Sequence, residues 1–315
     1  MEDHPTSGET GPHAADASGA NAPYLVLSGF AMGTADVVPG VSGGTMAVVM
    51  GIYEQLLAAI ASVGPRSAGL VLKGRLGAAL AEIHWRFLLA LGSGIALGIA
   101  VMVKIVGLPR LIEEQPKYVY AAFFGLVLAS AVMLARRIPR WTAPRALALV
   151  VGALVGLAVV NLVPVATPES AWFVFLSGVV AICAMVLPGI SGSFVLLILG
   201  KYAYVLNAVG ELDLSVIVPF ALGCALGLAG FSRVVSWALA RWHDTVMAGL
   251  VGLLLGSLWR IWPYQQLTTV IVRDKPRVIA AEPYLPQSLE WQVVLLTAIG
   301  LALVFALEWA AARRA

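Results

Sequence analysis

From Tyr24 to Ala311 the chain is a succession of apolar runs, and that succession rules out most folds. The runs extend from Tyr24 to Val38, Thr45 to Val63, Arg86 to Val106, Tyr118 to Ala135, Ala146 to Val165, Ala171 to Leu187, Phe194 to Val209, Leu214 to Ala240, Val246 to Trp262 and Trp291 to Ala311. A hydrocarbon core takes about 20 apolar residues of helix, so several runs are full crossings, and the four around two Pro-Gly interruptions are short. Only 12% of the residues are charged and 60% are hydrophobic, whereas about a quarter are charged in a water-soluble domain. The expectation is an all-α polytopic membrane protein. The 20 basic and 17 acidic residues leave a formal charge of +3 without the clustered excess that nucleic acid requires, so nucleic acid is excluded as a main partner. Cys183 and Cys224 lie inside apolar runs and the four histidines are scattered, so neither a disulfide framework nor a metal site is expected, and no cofactor is called for.

Residues 1 to 22 are rich in Gly, Ala, Ser, Pro and acidic residues, and no basic segment precedes the first apolar run. This pattern predicts a disordered tail rather than a secretory signal. Charge then sets orientation. Arg66, Lys73, Arg75 and Arg86, then Arg136, Arg137, Arg140 and Arg145, then Arg233 and Arg241, and last Arg313 and Arg314, alternate with connections that carry Glu113, Glu114, Glu169, Glu211 and Asp213. Basic connections stay on the cytoplasmic side, which places both termini in the cytoplasm. The connection from Pro263 to Glu290 carries Arg273, Lys275 and Arg277 against this rule, but its length and its acids reduce their weight. Trp85, Trp141, Trp172, Trp259, Trp262 and Trp291 fall near run ends, as an interfacial belt would.

Compared with itself, the chain shows a duplication. Ser28 through Ala59 superimposes without a gap on Ser177 through Ala208, with about a dozen identities in roughly thirty positions. The centres read Ala35-Asp36-Val37-Val38-Pro39-Gly40-Val41-Ser42-Gly43-Gly44 and Ala184-Met185-Val186-Leu187-Pro188-Gly189-Ile190-Ser191-Gly192-Ser193, and Gly51 and Tyr53 match Gly200 and Tyr202. Proline removes an N–H and turns the preceding residue out of the helix, and glycine admits a sharp path, so each copy reads as helix, break, helix. Ser42 and Ser191 stand where they would cap the second half-helix. The short flanks suit a re-entrant hairpin, and two full crossings per hairpin also fit them. Three crossings separate the hairpins and three follow, an odd number, so the copies enter from opposite faces. The expected architecture is two inverted-topology repeats, residues 23–166 and 167–315, each a broken hairpin plus three transmembrane helices. Secondary transporters are built this way, with the site where the repeats meet.

Helix N-termini held deep in a membrane carry partial positive charge and unsatisfied N–H groups, which suits an anion and phosphate in particular. The candidate substrate-binding residues are Asp36, Pro39, Gly40, Ser42, Gly43, Gly44 and Thr45 in the first copy, and Pro188, Gly189, Ser191, Gly192 and Ser193 in the second. Gly and Ser at these positions equally serve close helix packing. Asp36 is the one acidic residue inside the breaks; it reads either as a proton-coupling group or as an acceptor that steadies the turn. Glu54 and Lys201 lie further along, toward opposite mouths, where Lys201 either attracts a headgroup or snorkels. Arg86, Lys104 and Arg233 all lie near run ends, so backbone N–H groups and hydroxyls are expected to do most of the binding. Gly40-Val41-Ser42-Gly43-Gly44 also matches the G-x-S-x-G pattern of serine hydrolases, but a helix rather than a strand precedes it and no histidine lies in an apolar run.

At these residues the sequence resembles the polytopic proteins long catalogued as a domain of unknown function and now assigned as polyprenyl-phosphate (undecaprenyl-phosphate) translocases. The resemblance rests on Gly33 through Met46, continued by Gly51-Ile52-Tyr53-Glu54, and on Leu187 through Ser193 with Gly200-Lys201-Tyr202. It extends from about Tyr24 to the C-terminus. It implies a lipid flippase that returns the carrier phosphate from the outer to the inner leaflet for envelope polymer synthesis, with proton or ion coupling as one option. Two other readings use the same turns: a lipid-processing membrane enzyme acting through Ser42, and a transporter of small anions.

Overall fold

The computed structural model describes residues 21–312 apart from Pro39, Ala166, Arg273 and Asp274. Residues 1–20 of the expected tail and the basic Arg273, Arg313 and Arg314 therefore lie outside the described residues, while Ala22, expected in the tail, opens the first helix. The chain is helical throughout its apolar runs. Helices α1 (Ala22–Asp36), α2 (Gly43–Val49) and α3 (Tyr53–Ser62) form the first copy. Two short helices, α4 (Pro65–Leu72) and α5 (Leu76–Glu82), lead to α6 (Trp85–Ala100), which continues into a π-turn over Val101–Ile105. Then come α7 (Leu108–Glu114), α8 (Pro116–Arg137) and α9 (Ala143–Val160). The second copy is α10 (Ala171–Val186), α11 (Gly192–Ile198) and α12 (Tyr202–Glu211). It is followed by α13 (Leu214–Ser257), a 3-10 turn (Leu258–Ile261) and α14 (Trp291–Ala312).

The two sequence copies fold alike. α2 and α3 begin and end at the aligned counterparts of α11 and α12, and α1 and α10 begin at aligned residues, with α10 one residue longer at its end. Each copy also breaks twice. After the Pro-Gly turn, α2 and α3 meet at 119° and α11 and α12 at 108°. The second break falls at Gly51 (φ +69°) and Gly200 (φ +62°), inside runs that read as continuous in the sequence. Leu214–Ser257 is long enough for two crossings, and Trp242, whose φ and ψ of −139° and 47° are not helical, divides it. That division separates the two runs seen in the sequence.

Close helix pairs hold the bundle. Gly29 and Gly94 face the carbonyls of Leu91 and Val26 where α1 crosses α6, and Gly178 and Gly223 face those of Phe220 and Phe175 where α10 crosses α13. Gly125 and Gly300 do the same between α8 and α14, and Gly152 and Gly252 between α9 and the later half of α13. A methyl at any of them would strike a backbone oxygen, which is why small residues recur where membrane helices pack.

Contacts between chain ends sort them into two groups. In the first, the Tyr24 hydroxyl donates to the Met50 carbonyl, so the chain that starts inward in α1 has come back by the end of α2. With these lie Glu54, bonded to His243, and Asp244, paired to Arg145 at 2.7 Å. The His84 N–H, bonded to Ser62, and Arg233, which donates to the Ala61 and Val63 carbonyls, belong here too. In the second group, Val165 N–H donates to the Ile198 carbonyl and the Lys201 ammonium to the Thr167 carbonyl, so the second hairpin also returns to where it began. Lys117 pairs with Glu290 at 2.6 Å at the starts of α8 and α14, and Arg137 lies 3.8 Å from Glu308 near their other ends. The long connection after Pro263 contains an antiparallel pair, β1 (Gln265–Val272) and β2 (Lys275–Pro283).

Candidate functional site

The two Pro-Gly turns have one backbone form. Gly40 and Gly189 both have φ +88°. Val41 N–H donates to the Val38 carbonyl at 3.1 Å, and Ile190 N–H to that of Leu187 at 3.4 Å. This is a type II turn, whose third position needs positive φ and therefore glycine, and whose second position favours proline. Pro188 occupies that second position in the second copy; its counterpart Pro39 lies outside the described residues.

Each turn delivers a serine to the start of a half-helix, and there the copies diverge. Ser42 caps α2 by accepting the Gly44 N–H at 3.2 Å, and the Asp36 carboxylate accepts the Gly43 N–H at 2.7 Å. A Cβ on Gly43 would stand 2.6 Å from an Asp36 oxygen, so only glycine leaves room for that carboxylate. In the second copy Met185 replaces Asp36. Ser191 holds the cap position, but its hydroxyl pairs with that of Ser193 at 2.8 Å instead of the backbone.

The turns touch each other. Gly189 N–H donates to the Thr45 hydroxyl at 3.1 Å, and the Tyr53 hydroxyl donates to the Val186 carbonyl at 3.2 Å. Ser42 and Thr45 are buried, Gly43 and Gly44 with them, and so are Pro188, Gly189, Ser191 and Gly192, whereas Ser193 is exposed. The sequence-derived site residues near the breaks are thus brought together. Glu54 and Lys201 are not. Glu54 bonds to His243 Nε2 at 2.9 Å in the first group of chain ends. Lys201, only 1% exposed, neither snorkels nor reaches the turns. Its ammonium donates to Thr167 at 2.8 Å and lies 5.8 and 5.4 Å from the ring centres of Phe173 and Tyr204.

Sequence reasoning missed one residue. Arg260, in the 3-10 turn after α13, is 8% exposed and stands against both copies. Its Cγ would lie 3.0 Å from a Cβ on Gly40, and its guanidinium carbon sits over the Phe194 ring, 4.6 Å from the centre. Arg260 lies near a run end in sequence, as Arg86, Lys104 and Arg233 do, but in space the first turn reaches it through Gly40. The signal available was its place two residues before an interfacial Trp262, at the end of an apolar run. As for hydrolase chemistry, the Ser42 hydroxyl accepts the Gly44 N–H, the His243 ring bonds to Glu54 and Asp244, and the buried His84 Nδ1 has no hydrogen-bond partner among the described residues.

The undecaprenyl phosphate translocase-like family matches residues 32–279, a stretch that contains both turns and Arg260, and the chain belongs to this family. It is similar to a polyprenyl-phosphate transporter of Vibrio cholerae serotype O1, 38% identical over 240 residues that cover 76% of this chain and 77% of the relative. It is also similar to a polyprenyl-phosphate transporter of Staphylococcus aureus, 30% identical over 95 residues, 28% of this chain and 34% of that protein. No solved structure matches the chain.

Proposed function

We propose that this protein carries polyprenyl phosphate across the plasma membrane, from the outer to the inner leaflet, and that the phosphate passes between the two turns. The observation that carries the reading is the junction itself. Gly189 N–H on Thr45 and the Tyr53 hydroxyl on Val186 join the two most polar segments of the bundle at one place. A charged phosphate is costly to move through hydrocarbon and a prenyl tail is not, so the protein has to supply a polar passage for the head only. Ser42, Thr45, Ser191, Ser193 and the adjoining glycines, with Pro188 setting the second turn, form that passage. The apolar groove of about 430 Å³ lined by Phe124, Leu154, Leu157, Leu255, Trp259 and Trp262 offers the tail a wall beside it.

The grouping of chain ends supports an inverted repeat over residues 23–166 and 167–315. The first hairpin starts and ends with the group that holds Arg145, Arg233 and Arg137, and the second with the group that holds Lys201, Lys117 and Glu290. The first group carries most of the basic connections, so it faces the cytoplasm together with both termini. Alternating exposure of the junction by rocking one repeat against the other then moves the head.

The test is a vesicle assay. Purified protein in liposomes that contain labelled polyprenyl phosphate is followed by chemical accessibility of the phosphate on each leaflet, with and without a proton gradient. Intact lipid that moves to the opposite leaflet only when protein is present supports the proposal. A chemically changed lipid, or transfer of soluble phosphate with the lipid left in place, would overturn it.

A further inference from the structure

We propose that Arg260 is the phosphate-holding residue of this passage: its guanidinium supplies the fixed positive charge that binds the lipid headgroup between the two copies. This rests on the reading above that polyprenyl phosphate passes between the turns. A buried charge is expensive, and arginines inside membrane bundles mark the paths of charged substrates. Among the described residues the buried cations are Lys201 and Arg260. Lys201 lies near one mouth, at the Thr167 carbonyl and between two rings, away from the turns. Arg260 instead stands where the copies converge, with its stem against Gly40 of the first turn and its guanidinium over Phe194 of α11.

The chemistry of the contact fits the ligand. Stacking over Phe194 engages the flat face of the guanidinium, whereas phosphate is recognised at its N–H edge, often by two parallel bonds, so the ring and the phosphate do not compete. Ser193 precedes Phe194 and is the exposed member of the hydroxyl pair with Ser191. The glycine at position 40 lets the first turn close on the arginine stem, since even a methyl there would press on Cγ at 3.0 Å. One residue thus reads the approach of both hairpins, and a headgroup held by it feels either hairpin move.

The experiment compares wild-type protein with Arg260→Gln and Arg260→Lys, and with Arg110→Gln as a control on an exposed helix. Each is placed in nanodiscs, and binding is measured for polyprenyl phosphate, for the uncharged polyprenol of equal length and for inorganic phosphate. Loss of a charge-assisted contact predicts that Arg260→Gln weakens polyprenyl phosphate about 10- to 100-fold and leaves polyprenol unchanged. Arg260→Lys, which keeps the charge but not the planar fork, should fall between. Equal polyprenyl phosphate affinity in wild type and Arg260→Gln, with wild-type transfer intact, would sink the assignment of Arg260 and spare the transport reading. Wild-type protein that binds no polyprenyl phosphate would sink the transport reading itself, and inorganic phosphate bound as tightly as the lipid would replace the lipid by the free anion. If thermal unfolding shows that Arg260→Gln does not fold, Arg260→Lys decides, and full wild-type affinity in it overturns the proposal.

Discussion

The two turns of this protein share a backbone and divide its chemistry. Gly40 and Gly189 have the same φ, the half-helices start and stop at aligned residues, and the same bend recurs after each. Yet the first turn holds its own anion, Asp36 on the Gly43 N–H, while the second has Met185 at that position and a pair of hydroxyls joined to each other. Thr45 in the first copy receives a backbone N–H from the second; its counterpart, Phe194, receives the face of Arg260. Duplication thus preserved what the backbone needs, a turn that only proline and glycine make easily. Side chains were then free to diverge, one copy into a self-satisfied support and the other into a surface that faces a cation.

The largest effect that could break this equivalence is expected at the turn glycines. Alanine at either position adopts an unfavourable positive φ, but its surroundings differ. At position 40 the new methyl meets the flexible arginine stem at 3.0 Å; at position 189 it meets the Ser257 hydroxyl at 2.7 Å and the Leu254 Cα at 3.1 Å. Gly189→Ala should therefore destabilise the protein more than Gly40→Ala, by about 1–3 kcal/mol against the smaller cost of the strained backbone alone. Thermal unfolding in detergent measures both. Equal losses would mean that the flanking helix, not the turn, yields.

A second, smaller effect separates the copies chemically. Asp36→Ala removes a carboxylate acceptor from the start of α2 and should cost about 0.5–2 kcal/mol, while Asp36→Asn keeps an acceptor oxygen for Gly43 and should cost less. The converse change, Met185→Asp, gives the second turn the anion of the first. If the second copy is the one that faces the headgroup, that carboxylate should weaken polyprenyl phosphate binding by repulsion without matching loss of stability. Unchanged binding in Met185→Asp would show that the copies do not differ in this way.

What could be read from the sequence follows from what is local. Pro-Gly followed by Ser two residues later encodes a turn and a cap, and repetition of the string made the repeat visible before any contact was known. The long Leu214–Ser257 helix was legible as two crossings because Arg241, His243 and Asp244 interrupt its hydrophobicity. Arg260 was illegible because its burial is tertiary: distance along the chain put it at an interface, and Gly40 of the first copy and Phe194 of the second together enclose it. The partner of Lys201 is tertiary in the same way, since the carbonyl that holds it belongs to Thr167, in the segment ahead of α10. The strands β1 and β2 lie in a polar connection whose pairing the apolar pattern does not record.

The smallest expected effect concerns a contact with no counterpart in the second copy. Glu54 bonds to His243 Nε2 at 2.9 Å, His243 Nδ1 lies 3.2 Å from Asp244, and Asp244 pairs with Arg145 at 2.7 Å. This chain of charges ties the start of α3 to the bend in α13 and to the start of α9; at the equivalent place the second copy has Ala203. Both Glu54 and His243 are more than half exposed, at 62% and 53%, so solvent screens their attraction and Glu54→Gln should cost only about 0.2–1 kcal/mol. His243→Gln removes the same contact, and because the two residues share it, the double variant should lose little more than either single one. A double-mutant cycle by thermal unfolding reads that coupling. Strict additivity would show that α3 is held instead by its far end, where Arg233 grips the Ala61 and Val63 carbonyls, and the asymmetry between the hairpins would then be confined to their turns.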